Sequence, residues 1–113
     1  MLNQTILVGR VVRDIEVKEL ENGKKVSNIT IAVPRSYKNE EGVYDTDFID
    51  CVLWEGIAEN AAEYLRKGDL VGIKGRLQTT NYETETGEKR KATEVIAEKL
   101  TFLSSRKQNE SEE

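Results

Sequence analysis

The chain has 113 residues, enough for one hydrophobic core and too few for a two-domain enzyme. Its 17 Lys and Arg against 21 Asp and Glu give a net charge of −4, and the absence of histidine removes the commonest general base and metal ligand. That acidity also argues against a polyanion partner, because a polyanion is repelled at long range unless the cations are gathered on one surface.

Residues 5–12 (TILVGRVV) are rich in β-branched side chains and predict a strand, with Gly9 marking a bulge or sharp bend. Residues 15–20 (IEVKEL) alternate apolar and charged side chains, the pattern of a half-buried strand. Asn22-Gly23 is a strong hairpin signal, and residues 26–35 (VSNITIAVPR) form the return strand, with Pro34 near its end or on an edge. The polar stretch 37–47 (YKNEEGVYDTD) reads as a long loop or protruding hairpin, followed by a strand over 48–54 (FIDCVLW). Residues 56–66 change period: Ile57, Ala58, Ala61, Ala62 and Leu65 recur at helical spacing, with Arg66-Lys67 in the last turn and Gly68 as the stop. A strand over 70–81, a turn over 83–88 around Gly87 and a last strand over 91–102 complete a domain of residues 1–103. Residues 104–113 (SSRKQNESEE) have no apolar side chain and are expected to be a disordered tail.

The lone Cys51 cannot form an internal disulfide, and no apolar run approaches a membrane span. The N-terminal MLNQTILVGRVV lacks the pattern of a signal peptide, so a cytoplasmic domain is expected. The order of elements is that of an OB-fold: mainly β, a five-stranded Greek-key barrel with one helix between strands 3 and 4, whose sheet face and loops bind oligonucleotides or sugars. Mixed α+β sandwiches can share this order, so the side-chain faces must decide.

Side chains alternate across a strand. In 48–54, Ile49, Cys51 and Leu53 take one side, and Phe48, Asp50, Val52 and Trp54 the other. Burying an unpaired Asp50 carboxylate is costly, so the second side is read as the outer surface. Phe48 and Trp54 then stand outside, about 20 Å apart along the strand. Beyond residue 70, Val71, Ile73 and Leu77 form the apolar set, while Lys74, Arg76, Gln78, Thr80 and Tyr82 share the opposite parity. Tyr37 lies between Arg35 and Lys38, and Lys89-Arg90-Lys91 follows the last turn.

An aromatic face for a base and a cation for a phosphate is the repeating chemistry of single-stranded nucleic-acid binding. The stacking candidates are Tyr37, Phe48, Trp54 and Tyr82. The phosphate-contacting candidates are Arg10, Arg35, Lys38, Lys74, Arg76, Lys89, Arg90 and Lys91. Tyr64 reads as helix-to-core packing, Tyr44 as structural and Cys51 as a buried hydrophobe. Acids gather in 14–21, in 40–50 and at Glu55, Glu59 and Glu63, so the expected surface is a narrow basic track on an acidic body. No cofactor, metal set or catalytic constellation is found. An alternative puts Phe48 and Trp54 against a protein partner, making the chain an OB-fold adaptor of a primosome or replication complex. The cations beside Tyr37 and Tyr82 argue against a neutral oligosaccharide.

Over residues 3–103 the chain resembles the bacterial single-stranded DNA-binding protein family. The match rests on Asn3 with Ile6-Leu7-Val8-Gly9, on Asn22-Gly23, on VSNITIA at 26–32, on EYLRKG at 63–68, and on Gly75-Arg76-Leu77-Gln78-Thr79 followed by Tyr82. The resemblance implies a homotetramer that wraps single-stranded DNA with little sequence preference, at the nucleoid, in replication, repair, recombination or DNA uptake. The family's stacking positions fall on Tyr37, Phe48, Trp54 and Tyr82. Members commonly end in a Gly/Pro/Gln-rich linker and an acidic tip closing with Pro-Phe, which recruits partner enzymes. The ending Glu110-Ser111-Glu112-Glu113 argues against such recruitment and implies a truncated or naturally short member. Asp50 stands where many relatives carry a cation beside Phe48, and Gly56 replaces a cation near Trp54, which predicts weaker or more salt-sensitive binding.

Overall fold

The β-branched segments form strands long enough to close on themselves. The computed structural model describes residues 1–104. Its strands are β1 (Thr5–Val11), β2 (Lys18–Glu19), β3 (Lys25–Lys38), β4 (Tyr44–Trp54), β5 (Leu70–Glu83) and β6 (Lys89–Ser104), with helix α1 (Glu55–Tyr64) between β4 and β5. They follow the order β1-β5-β6-β4-β3-β2, and Arg10↔Ala32 and Val11↔Ile31 join β1 to β3. That last pairing closes β1, β3, β4, β5 and β6 into a barrel, the OB-fold expected from the element order. The two-residue β2 only extends the edge of β3.

The interior takes one parity of each strand: Val11, Ile29, Ile31, Cys51, Leu53, Val71, Ile73 and Val95 are buried together. Ala58, Ala61 and Leu65 add the apolar side of α1 to this core, which is where the helical spacing placed it. Burial pushes the Cys51 thiol up to about 12, so almost no thiolate exists at neutral pH. Cys51 is therefore expected to resist a thiol reagent in the native protein and to react once urea unfolds the chain. Native labelling at the rate of a free thiol would contradict this core.

Several sequence expectations change in detail. Gly9 marks no bulge; a Cβ there would press on the carbonyl of Ala32, where β1 passes from β5 to β3. Of residues 15–20 only Lys18 and Glu19 join a ladder, while Ile15 and Val17 reach the core from irregular backbone. Pro34 sits within β3 opposite Thr46, where the ladder breaks before resuming at Lys38↔Tyr44. The helix stops at Tyr64, before Arg66, whose Nη1 donates to the carbonyls of Ala62 (3.2 Å) and Leu65 (2.8 Å) and caps the exposed end. Tyr64 is 64% exposed, because Ala58, Ala61 and Leu65 already fill the buried stripe. β6 reaches Ser104, one residue into the expected tail, and 105–113 lie outside the described residues.

Three hairpins share one turn chemistry. In 20–24, 39–43 and 84–88 the first N–H donates to the fifth carbonyl at 2.8 Å, and a glycine at the fourth position donates back to the first carbonyl. Gly23, Gly42 and Gly87 have φ of 86°, 81° and 84°, the left-handed region that a side chain disfavours. Asn22-Gly23 thus locates its hairpin correctly, but the turn is longer than the two-residue kind.

Candidate nucleic-acid interface

The parallel pairing of β4 with β6, Cys51↔Val95 and Val52↔Ile96, decides the layout of the surface. Each of these strands begins at a hairpin turn, so the β3–β4 and β5–β6 arms extend from the same end of the barrel. The polar stretch 37–47 is therefore a protruding hairpin.

The outer face is a set of cross-strand rows. Between β3 and β4 they read Val26↔Trp54, Asn28↔Val52, Thr30↔Asp50 and Ala32↔Phe48. The Val52 row continues through Ile96 to Arg76, and the Ala32 row continues to Arg10. Val26, Val52 and Ile96 make a small buried cluster that floors this face. Phe48 is 67% and Trp54 37% exposed, as the parity argument required. Trp54 is the last residue before α1, and the chain turns sharply after it through Glu55, whose φ is 52°. Tyr37 and Tyr82 are both exposed, one on each arm, and Tyr82 lies directly across from Arg90.

The bulges of the β5–β6 ladder leave one β6 residue unpaired at each shift, so the parity of β5 is kept. Lys74, Arg76 and Tyr82 share the outer side, with Lys99 opposite Lys74. Lys89 and Lys91 pair with Glu83 and Asn81 on the other side of the arm, so the cationic run divides between the two faces. Around the arm, residues 81–83 and 89–91 line a shallow cleft of about 560 Å³. Leu77 keeps the inner parity yet is exposed, its backbone N–H and carbonyl bonded to the Asn3 amide at 2.8 and 2.9 Å.

Some of the nominated cations already have partners. Arg35 grips Asp47, with Nε at 3.2 Å from both oxygens and Nη2 at 2.9 Å from one, and Asp45 lies 3.7 Å from Nη1. The guanidinium holds the Asp47 carboxyl below the usual carboxylate range, and Asp47 in turn raises Arg35. This clasp spans the stretch where the β3–β4 ladder is interrupted. Arg10 donates to the Gly68 carbonyl at 2.9 Å and Arg76 to Gln78 at 2.8 Å, while Arg90 pairs with Glu88. The Lys38 ammonium lies 5.7 Å from the centroid of the Tyr44 ring.

Sequence reasoning passed over two residues on this face. Tyr44 is exposed and shares its parity with Phe48 and Trp54; the signal was there, but the strand was started four residues late. Arg13 donates from Nη2 to Thr30 Oγ1 at 2.9 Å, and that hydroxyl donates to Asp50 Oδ1 at 2.8 Å. No sequence signal pointed to it, because it reaches the face from the connection between β1 and β2. Among the described residues no group of acidic or cysteine side chains is arranged to hold a metal ion, and no helix is long and apolar enough to cross a membrane.

A closed barrel with one helix between its third and fourth strands, and with aromatics and cations interleaved on its outer face, defines an OB-fold domain. The chain belongs to the single-strand binding protein family, whose model matches residues 2–103. It is similar to the single-stranded DNA-binding protein of Bacillus cereus, 47% identical over 106 residues that cover 94% of this chain and 62% of the relative. Single-stranded DNA-binding protein A of Bacillus subtilis is 48% identical over 103 residues, covering 91% of this chain and 60% of the relative. The single-stranded DNA-binding protein of Lactiplantibacillus plantarum is 47% identical over 110 residues, 97% of this chain and 55% of the relative. The chain thus spans about three fifths of the length of these curated relatives.

Proposed function

We propose that this chain binds single-stranded DNA with little sequence preference and performs no catalysis. The observation that carries the reading is the exposure of Tyr37, Phe48, Trp54 and Tyr82 along β4 and the two arms that flank it, with cations set among them. Stacking on an aromatic tolerates any base, and Lys or Arg contacts to phosphates make affinity fall with salt. Lys38, Lys74, Arg76 and Arg90 supply those contacts on the outer face, with Arg10 beside the Phe48 row, and Lys89 and Lys91 meet a strand that wraps around the β5–β6 arm. Arg35, neutralised by Asp47, acts first as a strut for its arm.

The same reading includes a homotetramer. Ile6 is 72% exposed, and Val8 and Leu103 are exposed as well, an apolar surface that a second copy would cover. The edge of β1 away from β5 has no ladder partner over residues 5–9 among the described residues. The proposed setting is the cytoplasm, where the protein protects exposed strands during replication, repair, recombination or DNA uptake.

Binding of dT oligomers of increasing length, on a sample whose mass is known, tests this directly. The reading expects affinity that rises with length, falls with salt, and saturates at a stoichiometry of one strand per tetramer. A monomer, or a protein that prefers duplex DNA, would contradict it.

A further inference from the structure

Asp50 poses a problem for any polyanion laid along β4. It stands on the outer face two residues from Phe48 and four from Trp54, roughly 7 and 13 Å along the strand. A bare carboxylate there repels phosphates at the middle of the stacking strip. Asp50 is not bare, however. Thr30, buried directly across from it, donates to its Oδ1 and accepts from Arg13, so the hydroxyl is oriented by a charged group on each side. Arg13 itself is exposed and makes no ion pair or second hydrogen bond among the described residues. A guanidinium has five N–H donors, and only one is used. Arg10 and Arg76 likewise use one donor each, on the Gly68 carbonyl and on Gln78, whereas Arg35 is held by two acids.

We propose that Arg13, anchored by the Thr30–Asp50 relay, contacts the phosphate backbone of single-stranded DNA between the bases stacked on Phe48 and Trp54. The proposal rests on the single-stranded DNA reading above and adds to it a specific residue. Arg13 offsets the Asp50 charge and delivers a cation to the middle of β4, a strand with no Lys or Arg of its own.

The test compares the salt dependence of oligo-dT binding for the full chain and its variants. Arg13→Gln keeps a donor for Thr30 while removing the charge, Arg13→Lys keeps the charge, and Lys25→Ala removes a charge held by Glu59 of α1 on the opposite parity of β3. Arg13→Gln is expected to melt like the wild type, yet its plot of log affinity against log salt becomes shallower by about 0.7 for each protomer the strand engages. The wild-type advantage then shrinks about 2.6-fold per protomer for every fourfold rise in salt. Arg13→Lys retains the wild-type slope, as does Lys25→Ala, and Arg13→Ala behaves as Arg13→Gln. A wild-type slope in Arg13→Gln, or an equal change in Lys25→Ala, overturns the assignment to Arg13 while leaving the general reading intact. Failure of the wild-type chain to bind oligo-dT at low salt overturns both.

Discussion

Trp54→Ala is expected to weaken oligo-dT binding by about 1–3 kcal/mol, roughly five- to 150-fold, without loss of fold or subunit assembly. Trp54 ends β4 on the outer face, bordered by Val26 across the ladder, and is not one of the residues of the buried core. Its removal takes away one stacking platform and leaves the barrel intact. Phe48→Ala, at the other end of the strip, should behave alike, and because the two residues are well separated their effects should nearly add. Anisotropy of a labelled oligomer measures the affinity, since the variant loses the chain's only tryptophan. Dissociation of the assembly with unchanged affinity per site would instead assign Trp54 to a subunit contact.

Gly75→Ala is expected to cost about 3 kcal/mol of stability, among the largest effects of any single methyl added to this chain. Gly75 pairs with Ala97 where the β5–β6 ladder shifts register. A Cβ at this position would fall well inside the van der Waals radius of the Ile96 carbonyl oxygen, with the Ala97 Cα also crowding it at 3.2 Å. Neither is the end of a flexible side chain, so the strands themselves must part. Gly72→Ala, three residues earlier on the same strand, provides the contrast. Its Cβ would meet the Leu103 and Thr101 side chains at 3.6 and 3.8 Å, ordinary contact distances, and stability should change little. Urea denaturation at one fixed protein concentration measures both, and equal midpoints would contradict the close approach seen at Gly75.

The fold was legible because its strands alternate cleanly. Ile49, Cys51 and Leu53 could be told from Phe48, Asp50 and Trp54 by asking which side could bury a carboxylate, and burial follows that division. The helix showed through its change of period, although its end did not, because Arg66 caps the carbonyls from outside rather than extending the helix. Residues 15–20 misled, since alternation records which side chains face the core and not whether the backbone is laddered.

The charges were less legible than the aromatics. An exposed aromatic depends on strand parity, which is local. Whether a cation is available depends on its neighbours in space: Arg35 was nominated beside Tyr37, but Asp47 and Asp45 come to it from the opposite strand. Arg13 shows the reverse case, a cation on the face that no local pattern marked. The net charge of −4 describes neither, because the surface that matters is a few rows of one barrel.

Trp54 offers the most direct measurement, because it is the only tryptophan and lies exposed at one end of the proposed contact. Titrating the full chain with unlabelled oligo-dT at low salt should quench its fluorescence to saturation, and raising the salt should restore it. Unchanged Trp54 emission at low salt, with the protein folded and the oligomer in excess, would contradict single-stranded DNA binding at this face.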